Sequence, residues 1–198
     1  MREVELKAVV PDVDALRANV HAAGARAAFA GALTDRRYDT PDRALVSRDH
    51  VLRVRTFAPA SGASKCELHF KGPTRYDDGY KVRDEFATAV GDARELDAIL
   101  GALGYVVIRE IEREIESYEL DDAGVRIERY PRLDTLVEVE GAPDAIERAI
   151  ARTGIPRAAF TTDRLPAFVA AFEARTGTRA ALCARELAGD YRYAAADA

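Results

Sequence analysis

Charged and apolar residues alternate with a period of two along much of this chain, and that rhythm restricts its fold more than any other feature. In REVELKA, Glu3, Glu5 and Lys7 share one face of an extended strand, with Val4, Leu6 and Ala8 on the other. VLRVR sets Arg53 and Arg55 against Leu52 and Val54, and KCELHFK sets Lys65, Glu67, His69 and Lys71 against Leu68 and Phe70. Lys81, Arg83 and Glu85 alternate with Val82 and Phe86, Arg126 and Glu128 with Val125 and Ile127, and Glu138 and Glu140 with Val137 and Val139. A chain patterned this way must place strands between an apolar layer and a charged one.

Four segments with helical spacing can supply the apolar layer. Asp12 caps a stripe of Val13, Leu16 and Val20, and Asp92 with Glu95 forms a capping box ahead of Leu96, Ile99, Leu100 and Leu103. A third helix runs from Pro143 to Gly154, and a fourth carries Leu165, Phe168, Val169 and Phe172 before Gly177. Asp77-Asp78-Gly79 and Asp121 to Gly124 have the composition of hairpin turns.

Two architectures satisfy this pattern. One is an antiparallel sheet with its charged face in water. The other is a closed barrel with helices on its apolar outside and the charges lining the lumen, which requires the interior charges to balance. The charged positions are Glu, Arg and Lys, with few of the Thr, Ser and Gln residues that decorate exposed strands. Guanidinium groups grip phosphate oxygens bidentately, and carboxylates two apart on a strand can converge on one divalent cation. The residue choice therefore points to the barrel and to a metal–triphosphate site.

Other chemistries find little support. The 198 residues carry a net charge of -5, which excludes the basic surface that a nucleic-acid or membrane-surface protein needs. No apolar run is long enough to span a bilayer, and a cytoplasmic location is expected. His21, His50 and His69 are scattered, and Cys66 and Cys183 lack any CxxC spacing, which argues against a histidine-rich metal centre or a Ser-His-Asp hydrolase.

The order of the motifs resembles the CYTH superfamily, the triphosphate tunnel metalloenzymes that include class IV adenylyl cyclases and thiamine triphosphatases. EVELK at 3–7 is similar to its ExExK signature, and YDTP at 38–41 to its strand-to-loop segment. LRVR at 52–55, FKGP at 70–73 and VRDEF at 82–86 resemble its next three motifs, and LDTLVEVEG at 133–141 the strand that closes the tunnel. The resemblance implies an α+β fold: an eight-stranded antiparallel β-barrel flanked by α-helices over residues 1–177, with 178–198 a partly mobile C-terminal extension.

It also implies roles. Glu3, Glu5, Glu128, Glu138 and Glu140 would hold Mg²⁺ or Mn²⁺. Lys7, Arg53, Arg55, Lys71, Arg83, Arg113 and Arg126 would hold phosphate oxygens, and Glu3, Glu5, Lys7 and Glu85 would serve catalysis. The chain departs from the family pattern at Ile115, where a second basic residue is usual and which Arg109 or Arg126 would replace, and at Asp134, where glycine is frequent. The expected activity is conversion of ATP to cyclic AMP and pyrophosphate. The alternative is a triphosphatase acting on inorganic triphosphate, thiamine triphosphate or a nucleotide, and a third reading is a non-catalytic polyanion-binding module. The expected partner is a small-molecule triphosphate, with no nucleic acid and no membrane, and the expected assembly is a homodimer.

Overall fold

The opening alternation becomes strand β1 (Arg2–Val9), whose Val4, Leu6 and Ala8 are buried on one side while Glu5 and Lys7 face the other. The computed structural model describes residues 2–197, with the side chains of Arg2, Glu3 and Ala195 outside the description. After helix α1 (Val13–Ala22) come β2 (Arg26–Asp39), β3 (Val51–Pro59), β4 (Lys65–Lys71), β5 (Arg75–Asp77) and β6 (Tyr80–Val90). Helix α2 (Ala93–Ala102) leads to β7 (Val106–Leu120), β8 (Ala123–Arg129) and β9 (Leu136–Glu140), and the chain ends with α3 (Pro143–Thr153), α4 (Leu165–Thr176) and the short α5 (Ala184–Leu187).

The strands pair antiparallel in the order β1-β9-β8-β7-β2-β3-β4-β6, and β6 returns to β1 with Glu3 opposite Arg83 and Glu5 opposite Lys81. This last pairing closes the barrel and excludes the open sheet with a solvated charged face. β5 is an extra strand that pairs with β6 beyond the end of β4. Gly31 opposes Pro59 and Ile115 in β2, where an added Cβ would lie 2.3 Å from the carbonyl oxygen of Ala58, so the strands approach this closely only because glycine is there.

The apolar faces point outward and are covered. Leu16 and Val20 of α1 and Ile146, Ala149 and Ile150 of α3 pack on Val4, Leu6, Val125, Val137 and Val139. Leu96 and Leu100 of α2 cover Tyr38, Val54 and Leu68. α4 crosses one mouth of the barrel, where Leu165 and Val169 join Ile111 and Leu136. The four helices sit where their sequence signals place them: Asp12 and Asp92 accept backbone N–H bonds at the starts of α1 and α2, and Gly154 and Gly177, at φ 78° and 66°, end α3 and α4.

Beyond Thr178 the chain packs against the barrel wall. β8 pairs with β7 only from Glu114 onward, and the gap below is filled by this segment: Glu112 N–H donates to Leu182 O, and Arg132 and Ala181 exchange both backbone hydrogen bonds. Glu186 of α5 makes a buried ion pair with Arg109 at 2.8 Å.

Candidate functional site

Because side chains alternate along each strand, turning Val4, Leu6 and their equivalents outward turns the charged rows inward. The lumen holds a cavity of about 400 Å³. Among the described residues its wall carries ten cations, Lys7, Arg37, Arg53, Arg55, Lys71, Lys81, Arg83, Arg113, Arg126 and Arg164, against six carboxylates, Glu5, Asp35, Asp49, Glu128, Glu138 and Asp197. A chain of net charge -5 thus encloses a wall that, among the described residues, has four more cations than carboxylates. The lining also includes the apolar side chains of Val46, Leu52, Ile108, Leu165 and Pro166.

On the β1–β9–β8 side the charges interleave. Lys7 Nζ lies 3.1 Å from Glu5 and 2.5 Å from Glu138, Lys81 pairs with Glu5, and Arg126 donates to Glu138 at 2.9 Å. Burial opposes ionisation of Glu138, but Lys7 and Arg126 overcome it and hold its carboxyl well below the ordinary range. Burial likewise opposes ionisation of Glu5, and Lys7 with Lys81 outweighs it. Both are carboxylates at neutral pH.

On the β2–β3–β7 side one carboxylate serves several arginines. Asp35 accepts two hydrogen bonds from Arg55, at 2.7 and 2.8 Å, and two from Arg113 at 3.2 Å, while Arg53 lies 3.6 Å away. Glu128 accepts from Arg113 at 2.9 Å and from the Tyr130 hydroxyl at 2.7 Å. The remaining cations are less well served. Burial first, and then Arg53, push Arg37 down to about 10. Burial and Arg55 likewise lower Arg53. Among the described residues, the Nε atoms of Arg37, Arg53 and Arg126 are buried and have no hydrogen-bond partner. A buried donor without an acceptor is costly, and an anion in the cavity would supply both acceptor and charge.

The expected site residues mostly converge. Glu5, Lys7, Arg53, Arg55, Lys71, Arg83, Arg113, Arg126, Glu128 and Glu138 all line the cavity. Glu85 and Glu140 do not: Glu85 lies opposite Lys71 on the same inward face, 3.3 Å from both Arg53 and Lys71, and Glu140 lies opposite Glu5 in the β1–β9 register. The Glu3 side chain lies outside the described residues. Of the two candidates to replace the cation missing at buried Ile115, Arg126 faces the cavity and Arg109 is paired with Glu186. Sequence reasoning missed Asp35 and Arg37, because TDRRYD puts charge on both faces of β2 and hides the alternation. It also missed Asp49, Arg164 and Asp197, which reach the mouth from loops and termini with no period to betray them.

Comparison with known proteins agrees with this geometry. The CYTH domain model matches residues 1–154. The chain belongs to the CYTH family. Among solved structures, this CYTH chain is similar to a candidate adenylate cyclase of Vibrio parahaemolyticus, with 21% identity and a TM-score of 0.72 over 85% of this chain and 97% of that one. A Pyrococcus horikoshii protein is 22% identical, with a TM-score of 0.69 over 82% and 94% of the two chains. A candidate adenylyl cyclase of Hippeastrum, described as having a dominant triphosphatase activity, is 16% identical with a TM-score of 0.59 over 91% and 98%. At these identities the likeness is one of fold. No curated protein matches the chain.

CYTH proteins are typically enzymes and generally depend on metal. In this CYTH chain no three His, Cys, Asp or Glu side chains among the described residues form a metal-holding group. The donors nevertheless fit a hard divalent ion shared with substrate. Glu5 and Glu138 are ionised, face the cavity and are held near one another by Lys7, and Mg²⁺ is commonly bound by one or two carboxylates together with substrate phosphates. No helix among the described residues is long and apolar enough to cross a membrane.

Proposed function

We propose that this CYTH chain is a metal-dependent enzyme that processes a triphosphate, nominally a class IV adenylyl cyclase forming cyclic AMP and pyrophosphate from ATP. One observation carries the reading: among the described residues the wall has four more cations than carboxylates, and the buried Nε atoms of Arg37, Arg53 and Arg126 lack a hydrogen-bond partner. Such a wall suits a linear polyanion, and its rows of guanidinium groups favour phosphate oxygens. The apolar part of the lining favours a triphosphate that carries an organic group.

In this reading Arg53, Arg55, Arg113 and Lys71 bind the phosphate chain and hold it extended, so that catalysis is mainly positioning and electrostatic stabilisation. Lys7, Lys81 and Arg126 keep Glu5 and Glu138 ionised and oriented. A divalent ion held by Glu5 and Glu138, with Glu3 and Glu140 flanking them in register, would offset charge developing on the leaving phosphate oxygens. In the cyclase reaction the ribose 3′-oxygen bonds to the α-phosphorus, the bond from that phosphorus to the leaving pyrophosphate breaks, and the hydroxyl proton passes to a base. Glu5 and Glu138 line the cavity, and one of them would orient the hydroxyl and take its proton.

The second reading is a triphosphatase, in which water attacks the terminal phosphorus within the same frame. It is favoured by the dominant activity described for the Hippeastrum protein with this barrel. Purified protein with Mg²⁺ or Mn²⁺, given ATP, inorganic triphosphate and thiamine triphosphate separately, discriminates the two by ³¹P NMR of the products. Cyclic AMP with pyrophosphate is the expected outcome. Orthophosphate without cyclic product would replace it with the triphosphatase, and no turnover of any of the three would sink both.

A further inference from the structure

His69 is buried on β4, on the same inward face as Lys71 and opposite Arg53 of β3, and it has no part in the reaction above. Its ring lies between two carboxylates, with Nδ1 2.7 Å from Glu85 Oε1 and Nε2 2.8 Å from Glu67 Oε2. Ionised carboxylates only accept hydrogen bonds, so both ring nitrogens must carry hydrogen to satisfy this geometry. A neutral ring would turn one bare nitrogen toward a carboxylate oxygen. Arg53 Nη2, 3.4 Å from Nδ1, is too distant a donor to offset an acceptor–acceptor contact at 2.7 Å.

Glu85 in turn sets the strength of two cavity cations. Its Oε1 is shared by His69 and by Arg53 Nη2 at 3.3 Å, and its Oε2 faces Lys71 Nζ at 3.3 Å. Arg53 and Lys71 both line the cavity, whereas His69 and Glu85 do not. While the ring is an imidazolium, it neutralises part of Glu85 and leaves more of the charge of Arg53 and Lys71 available to the lumen. Without that proton, Glu85 draws more strongly on Arg53 and Lys71, and the inward face loses one positive charge.

We infer that His69 is a positioning residue for Glu85, and that its protonation makes the affinity of the tunnel for polyphosphate fall as pH rises. The inference rests on the triphosphate reading of the cavity. The charged groups around the ring are Glu67 and Lys71 on its own strand, Arg53 opposite it and Arg55 beside that on β3, and Glu85 on β6. Two carboxylates contact the ring directly at under 3 Å, while Arg53 Nη2 stands at 3.4 Å.

The test is calorimetric titration of the whole chain with inorganic tripolyphosphate, without divalent cation, between about pH 5.5 and 8.5, where an imidazole changes charge. The ligand's own titration cancels when wild type is compared with His69→Gln. Wild-type affinity should fall by about fivefold more than that of the variant across this range, the size expected of one charge acting through a partly polar medium. Glu67→Gln, at a position one-third exposed, should keep the fold and move the wild-type fall to lower pH. Nitrogen-15 NMR of the ring should show both nitrogens protonated at the acid end of the range. Parallel pH profiles for wild type and His69→Gln, or a ring with one bare nitrogen at the acid end, would overturn the inference alone. Failure of the wild type to bind tripolyphosphate at any of these pH values would overturn the triphosphate reading and this inference with it.

Discussion

Asp35 is surrounded by the guanidinium groups of Arg53, Arg55 and Arg113, all within 3.6 Å of its carboxylate. Burial works against its charge, but those arginines hold its carboxyl well below the ordinary range. Asp35→Asn keeps the shape and removes the charge, leaving three buried cations to repel one another. It should cost about 3 kcal/mol of stability, the loss typical when one partner of a buried pair is removed. If those cations form the anion site, saturating tripolyphosphate should restore more of the melting temperature in the variant than it adds to the wild type. An equal increment in both proteins would argue that Asp35 has only a scaffolding role. The sequence shows the arginine half of this cluster, since Arg53 and Arg55 lie in a clean alternation, but not the carboxylate that organises it. Asp35 stands beside Arg36 and Arg37, one of which faces out and the other in, and no local pattern separates them.

At the level of elements, the outward faces are held in place by charge as well as by apolar contact. Glu116 of β7 accepts two hydrogen bonds from Arg17 of α1, both at 2.8 Å, one from Arg129 of β8 at 2.6 Å and one from the Tyr118 hydroxyl at 3.0 Å. The Arg17 hydrogen bonds, opposed by burial and reinforced by Arg129, lower the Glu116 carboxyl from 4.5 to about 2. A carboxyl depressed on folding stabilises fully above its unfolded value and loses that contribution as pH falls. The window here is therefore 4.5 down to about 2. Glu116→Gln should cost about 1 kcal/mol at neutral pH, at the low end for charged hydrogen bonds because Arg17 is partly exposed. Urea denaturation of both proteins at neutral pH and at two points inside the window should show the difference shrinking, and a constant difference would refute the assignment. Elements of this kind were legible as strands and helices, because period and caps are local. Their pairings were not, since Arg17 and Glu116 are 99 positions apart.

For the molecule as a whole, the alternation alone fitted an open sheet as well as a barrel, and it was the choice of Glu, Arg and Lys, with the family resemblance carried by the order of motifs from Glu3 to Glu140, that led to the expectation of a closed barrel. The way the wall is completed was not legible. β8 leaves β7 unpaired below Glu114, and the opening is filled by a segment that the sequence presents as an appendage. What fixes that segment is the Arg109–Glu186 pair, whose side chains are each only 3% exposed, with Glu186 also accepting from Leu182 N–H at 2.8 Å. Neither residue belongs to a motif. Glu186→Gln leaves Arg109 buried with a weakened partner and loosens the backbone bonds of Leu182 to Glu112 and of Ala181 to Arg132. The expected cost is about 3 kcal/mol in chemical denaturation. Amide exchange separates the two ways this could arise. If the segment completes the wall, the Glu112 and Arg132 amides should lose protection in the variant well before those of β1 and β9, because the barrel opens first at this seam. Uniform loss of protection across the sheet would mean that the pair stabilises the barrel globally, and that the seam is no weaker than the rest of the wall.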